Sequence, residues 1–162
     1  MEKNTYLKEE NYREVIESYT LEDWKPLLAL IPEIENTKEF GRIVGGFRDE
    51  NGVFQMPMWV EGIVIGKFID VVYNMPIIIS FKWYEWDEGR EMGKSDFDFD
   101  SVDIPTKCKL ITAIVRNDRF CDGALVSAFE SGIILKILKS IERQVKAKFA
   151  ESSKKKTGKA YS

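Results

Sequence analysis

Between residues 116 and 122 the chain reads Arg-Asn-Asp-Arg-Phe-Cys-Asp, and Glu130 follows eight residues later. Two arginines and three carboxylates around a helix start can hold an anion, with Arg116 or Arg119 as a bidentate clamp beside the helix N–H groups. The same side chains can instead pair among themselves. Arg116 or Arg119 against Asp118, Asp122 or Glu130 would fix the angle between two helices, and ion-pair networks often imitate sites. The structural reading takes precedence, with an Arg–Glu130 pair across the corner as its sharpest form. Cys121 precedes a helix start and follows Arg119, which favours a thiolate. No base accompanies it, so a nucleophilic role is not supported. Histidine is absent from all 162 residues. That removes Ser-His-Asp and Cys-His catalysis and every His-based metal site.

Two further stretches carry residue types with chemical possibilities. Asp96-Phe97-Asp98-Phe99-Asp100-Ser101 opens like a calcium loop. Such a loop needs Gly at its sixth position and Glu at its twelfth, where Ser101 and Lys107 stand. A solvated loop anchored by its two Phe side chains is expected, with no metal and no cofactor. Trp83, Tyr84 and Trp86, with Trp59, can form an aromatic platform for a ligand. Aromatics at helical spacing more often pack as core.

The elements that position these residues are mostly helices. Pro105 suits a first helical turn, and Asp103 or Thr106 supplies the capping oxygen. Leu110, Ile111, Ile114 and Val115 then make one stripe, with Cys108 beside it as a small hydrophobe. Asn117 is expected to end the helix in the left-handed conformation. Asp122 caps a second helix, after the tight turn at Gly123, and its apolar period continues from Leu125 to Phe149. Gly132 within it implies either close approach of another helix or a bend. Helix, corner and helix form an αα-hairpin. It is not a DNA reader, because Ala124-Leu125-Val126 presents hydrocarbon where base edges would need polar side chains.

Upstream, Tyr12, Val15, Ile16 and Tyr19 predict a first amphipathic helix. Trp24, Leu27, Leu28 and Ile31 predict a second, starting at Asp23 rather than Thr20 because of Pro26, and stopped by Pro32. Residues 42–56, with the Asp49-Glu50-Asn51-Gly52 turn, predict a short hairpin that Pro57 prevents from becoming long. Residues 60–73 follow a helical stripe despite their β-branched content. Residues 75–81 form an apolar connector or strand, and 82–92 a short Trp-rich helix.

Composition bounds the rest. A chain of this length buries about two thirds of its unfolded surface without staples, and twenty aromatic residues support a packed core. Cys108 and Cys121 offer no metal spacing and no disulfide framework, which suits a reducing cytoplasm. The N-terminal stretch lacks an apolar signal core, and no run approaches a membrane span. From Lys136 onward nine basic residues face Glu142 and Glu151, while the remainder carries fifteen basic and twenty-five acidic residues. Lys154, Lys155 and Lys156 can touch nucleic-acid phosphates weakly and without sequence preference.

The stretch LITAIVRNDRFCDGALVSAFESGIILKILKSI resembles the C-terminal signature of a bacterial and archaeal family of domains of unknown function, number 6508. WYEWDEGREM is similar to its Trp-containing segment and DWKPLLALIPEIEN to its opening helix, so the resemblance spans residues 18–143. Arg116, Asp118, Arg119, Phe120, Gly123, Glu130 and Gly132 match the signature. The resemblance implies a small, mainly helical cytosolic protein and carries no activity, cofactor or catalytic residue.

The expectation is a mainly α (α+β) fold of about six helices with one short β-hairpin. Residues 1–149 form one domain, and 150–162 a disordered basic tail. The expected function is that of a non-enzymatic binding or interaction domain. Its candidate surface is the corner at Arg116, Asp118, Arg119, Asp122 and Glu130, with Trp83 and Trp86 beside it and a protein as the partner. The alternatives are a His-independent enzyme or anion binder, and nucleic-acid association through the tail.

Overall fold

The computed structural model describes residues 6–94 and 96–160, the last nine as backbone alone. A short strand β1 (Leu7–Lys8) leads into α1 (Tyr12–Glu17), α2 (Leu21–Leu28) and α3 (Leu30–Asn36). Four strands follow: β2 (Gly41–Val44), β3 (Phe47–Arg48), β4 (Phe54–Gln55) and β5 (Met58–Glu61). Then come α4 (Ile63–Asn74), β6 (Ile79–Ser80), a 3-10 turn at Trp83–Glu85 and α5 (Asp87–Met92). A second 3-10 turn at Phe99–Ser101 precedes α6 (Ile104–Asn117), α7 (Ala124–Glu130) and α8 (Ile133–Ala160). The fold is mainly helical, as the periodicity predicts.

Helix α8 runs through the core. Its Ile134, Ile137, Leu138, Ile141 and Val145 are fully buried, and α2, α3, α6 and α7 pack around it. Its backbone continues to Ala160, through the stretch expected to be a disordered tail, and the side chains of Lys154, Lys155 and Lys156 lie outside the described residues. The apolar connector Ile77-Ile78-Ile79 is wholly buried. It ends in β6, which pairs in parallel with β1 through Leu7 and Ile79. Thr112 secures this layer: its hydroxyl accepts from Ile79 N at 3.1 Å and donates to Cys108 O at 2.9 Å.

Several boundaries differ from the sequence reading for identifiable reasons. Thr20, not Asp23, opens α2, because the two form a reciprocal capping box: Asp23 N donates to Thr20 Oγ1 and Thr20 N to Asp23 Oδ2. Two satisfied terminal donors outweigh the hydrogen bond that Pro26 forfeits inside the helix. Pro32 does not stop a helix but lies in the first turn of α3, where its missing N–H costs little. Asp103 caps α6 as expected, accepting from Thr106 N at 2.9 Å. Asn117 is not left-handed: every described residue with positive φ is a glycine. Gly132 is one of them, at φ +85°, and it splits the expected long second helix into α7 and α8. Beyond its two chain neighbours, no atom of the described residues lies within 4 Å of where its Cβ would be. Conformation, not close helix approach, therefore explains the glycine.

The acidic loop is anchored by its aromatics as expected. Phe99 is buried, and Phe97 meets it edge to face with ring centres 5.2 Å apart. A charge inside the core completes the anchor. Lys107 is fully buried, and its ammonium donates to Ser140 Oγ at 2.7 Å, Gln144 Oε1 and Phe99 O at 3.3 Å. Its three N–H donors are thus all satisfied, and they tie the loop to α8.

Candidate functional site

Strands β2 and β5 pair antiparallel, with Gly41 opposite Glu61, Arg42 opposite Val60, Ile43 opposite Trp59 and Val44 opposite Met58. Beyond Gly46 and Pro57 a second ladder pairs Phe47 with Gln55 and Arg48 with Phe54. The hairpin expected from the turn residues is present. Pro57 interrupts its second strand without ending it, and the strand resumes as β5. Residues 60 and 61, expected to begin a helix, belong to that strand, because pairing with Gly41 and Arg42 supplies their backbone bonds. At the tip, the Asp49 carboxylate accepts from Val53 N and Asn51 N, each at 2.9 Å, and from Gln55 Nε2. These bonds, that from Val53 foremost, hold its carboxyl below the usual carboxylate range.

The charged corner is the socket for this arm. Trp59 N donates to Asp122 Oδ2 at 3.0 Å. A Cβ on Gly123, whose φ is +83°, would stand 2.2 Å from Trp59 Nε1, so the indole seats directly on that glycine. A Cβ on Gly41 would stand 2.8 Å from Val126. Asp122 therefore does not cap α7. Asp118 does that work, its Oδ1 accepting from Leu125 N at 2.9 Å, and Gly123 occupies the cap position. Glu61 at the end of β5 faces Asp118 and Asp122. Burial and then its contact with Asp118 raise its carboxyl above the usual range.

The two arginines do not converge. Arg116 lies over the Tyr6 ring, its Cζ 4.7 Å from the centroid, with a buried Nε that has no hydrogen-bond partner among the described residues. Arg119 is exposed and lines a cleft of about 450 Å³ with Glu61, Asp70, Tyr73 and Asp118. Arg116 and Glu130 do not line it. Three carboxylates against one guanidinium make it unfavourable for an anion. Glu130 is exposed at the end of α7. Among the ion pairs of the described residues, none joins Arg116 or Arg119 to Asp118, Asp122 or Glu130, so the expected bridge across the corner does not form.

Trp83 and Trp86 are half-buried. They line a hollow of about 530 Å³ between α5 and α6, with Tyr84, Leu110, Ile114 and Asn117. Trp86 meets Phe81 edge to face and has the Lys109 ammonium 5.0 Å from its centroid. Trp83 reaches Phe120, with ring centres 5.9 Å apart. Trp59 does not join this group, because the arm carries it to Gly123. Among the described residues no group of three acidic or Cys side chains could hold a metal ion, and no helix is long and apolar enough to cross a membrane.

The feature that sequence reasoning missed is the surface of the arm. Eleven large hydrophobic side chains are exposed among the described residues, and eight of them fall between residues 43 and 63. Met56 is 74% exposed, Met58 55% and Ile63 83%. The corner covers Trp59 and Gly41 alone, and Ile43 on the same face stays 58% exposed. A signal existed: apolar residues occupy both parities of 43–60, more than a strand covered on one face can bury.

A profile of the family of unknown function DUF6508 matches residues 19–147. The chain belongs to that family. The DUF6508 match takes in the arm, the corner that seats it and the Trp hollow, and it ends before the Lys-rich stretch. No curated protein and no solved structure matches the chain.

Proposed function

We propose that this DUF6508 chain is a protein-interaction domain whose docking surface is the β arm of residues 41–63. The observation that carries this reading is the concentration of eight exposed large hydrophobic side chains on that one arm. The largest apolar patch on a typical monomer is about 300–600 Å², and larger ones mark interaction sites. At roughly 150 Å² for each side chain, the low end for large ones, the exposed fractions over both faces of the arm and at Ile63 amount to about 700 Å². The corner then has a mechanical role: Asp122 and Gly123 hold the arm at Trp59, and Asp118 secures the helix that carries them. Cys108 is buried and Cys121 exposed, both as free thiols, which fits action in a reducing cytoplasm.

Photo-crosslinking in cells tests this reading. A photoreactive residue at Phe54 or Met56 is expected to give a discrete polypeptide adduct, and one at exposed Glu22 on α2 is not. Absence of any adduct from the arm, or the same adducts from both places, overturns it.

A further inference from the structure

Resting on the reading of the arm as a docking surface, we infer that its partner is a second copy of this chain, packed arm against arm about a two-fold axis. The corner covers only part of the arm. Opposed residues of an antiparallel pair share a face. Ile43 with Trp59 and Gly41 with Glu61 therefore lie on one side, where the corner covers Trp59 and Gly41 and leaves Ile43 exposed. Arg42 with Val60 and Val44 with Met58 lie on the other, and Val60 and Met58 are exposed there.

A stable interface buries about 800 Å² on each partner, polar and apolar together, and the exposed apolar side chains of the arm, counted over both faces, supply most of that. Between residues 41 and 63 the charged residues are Arg42, Arg48, Asp49, Glu50, Glu61, two positive and three negative. Such a surface exerts no field that would select a strongly charged partner. An apolar, nearly neutral patch is what homodimer interfaces use, being richer in hydrocarbon than transient contacts. Closed two-fold contact needs the same patch on both sides, and the arm supplies it. Each ladder among the described residues has only two strands, so every strand has a free edge. Pairing between copies would cover edges that otherwise invite uncontrolled association.

The test is the mass of the full chain in solution, by light scattering behind size exclusion from about 5 to about 200 μM. The wild type is expected at twice the 18.8 kDa chain mass. The double variant Met58→Lys, Val60→Lys is expected at the single mass with an unchanged helical circular-dichroism melt. Phe54→Lys, on the ladder beyond Pro57, serves as a second variant should the first fail to fold. A wild type at single mass throughout overturns the inference, as does a folded variant that keeps the double mass. Hydrophobic-dye fluorescence separates this failure from failure of the docking reading. A monomer that binds dye through the arm, and loses the signal on Met58→Lys, Val60→Lys, sinks only the second copy as partner. A monomer without arm-dependent dye binding sinks both.

Discussion

Replacing Lys107 by Met, and following stability against pH, probes the buried charge that ties the acidic loop to α8. Burial, more than the opposing pull of Asp100, lowers the Lys107 ammonium from its ordinary 10.5 to about 8. Between those values the unfolded chain keeps a proton that the folded chain has released. Stability therefore rises with pH across that window. The interval, at about 1.4 kcal/mol for each pH unit, amounts to about 3 kcal/mol. Other groups pull the opposite way. Burial keeps the Cys108 thiol protonated well above its usual range and raises Tyr19 to about 12. Both lose stability as their unfolded counterparts ionise at alkaline pH, so the wild-type curve alone mixes opposing slopes. The difference between wild type and Lys107→Met largely cancels these shared contributions. At pH 7 the variant is relieved of the charge but leaves Phe99 O and Gln144 Oε1 without their donor, at about 1–3 kcal/mol each. The two chains should then lie within about 2 kcal/mol of each other. Urea unfolding read by Trp fluorescence should show the wild-type advantage growing by about 2–3 kcal/mol from pH 7 to 10.5. A difference that stays flat, or shrinks as pH rises, would refute a buried, lowered ammonium at this position.

Two glycine substitutions should behave differently although both residues have positive φ. Gly132→Ala meets open space and costs only the left-handed backbone, about 1–2 kcal/mol in urea unfolding, with Trp fluorescence of the folded protein unchanged. Gly123→Ala adds a clash with Trp59 to the same strain. It should cost about 2–5 kcal/mol and shift the native Trp emission as the indole leaves its seat, and an unshifted spectrum would argue against the socket.

Much of the helical frame was legible because its causes are local. Asp103 with Pro105, the stripe of α6 and the period of α8 all follow from spacing along the chain. Boundaries went astray where two residues act together. Thr20 and Asp23 stabilise each other, and that reciprocity outweighed the warning from Pro26. Gly132 left the apolar period unbroken while its φ reversed the backbone, so periodicity alone joined α7 to α8.

The sequence by itself determined that this is a mainly helical chain without histidine chemistry and with a DUF6508 signature over residues 110–141. Only the tertiary structure decided what the side chains of the charged corner meet. Asp118 and Asp122 found backbone N–H partners on α7 and β5, Arg116 found Tyr6, and Glu130 was left in solvent. These partners are distant in sequence or reached through a turn, and opposite charges near each other in a chain do not dictate which donor each will meet. The same holds for Lys107, which reads as an ordinary helix-surface lysine until α8 and the acidic loop close over it. The arm is the converse case: its residue types are those of a buried strand, and only the packing of α7 against one face shows that the other is open.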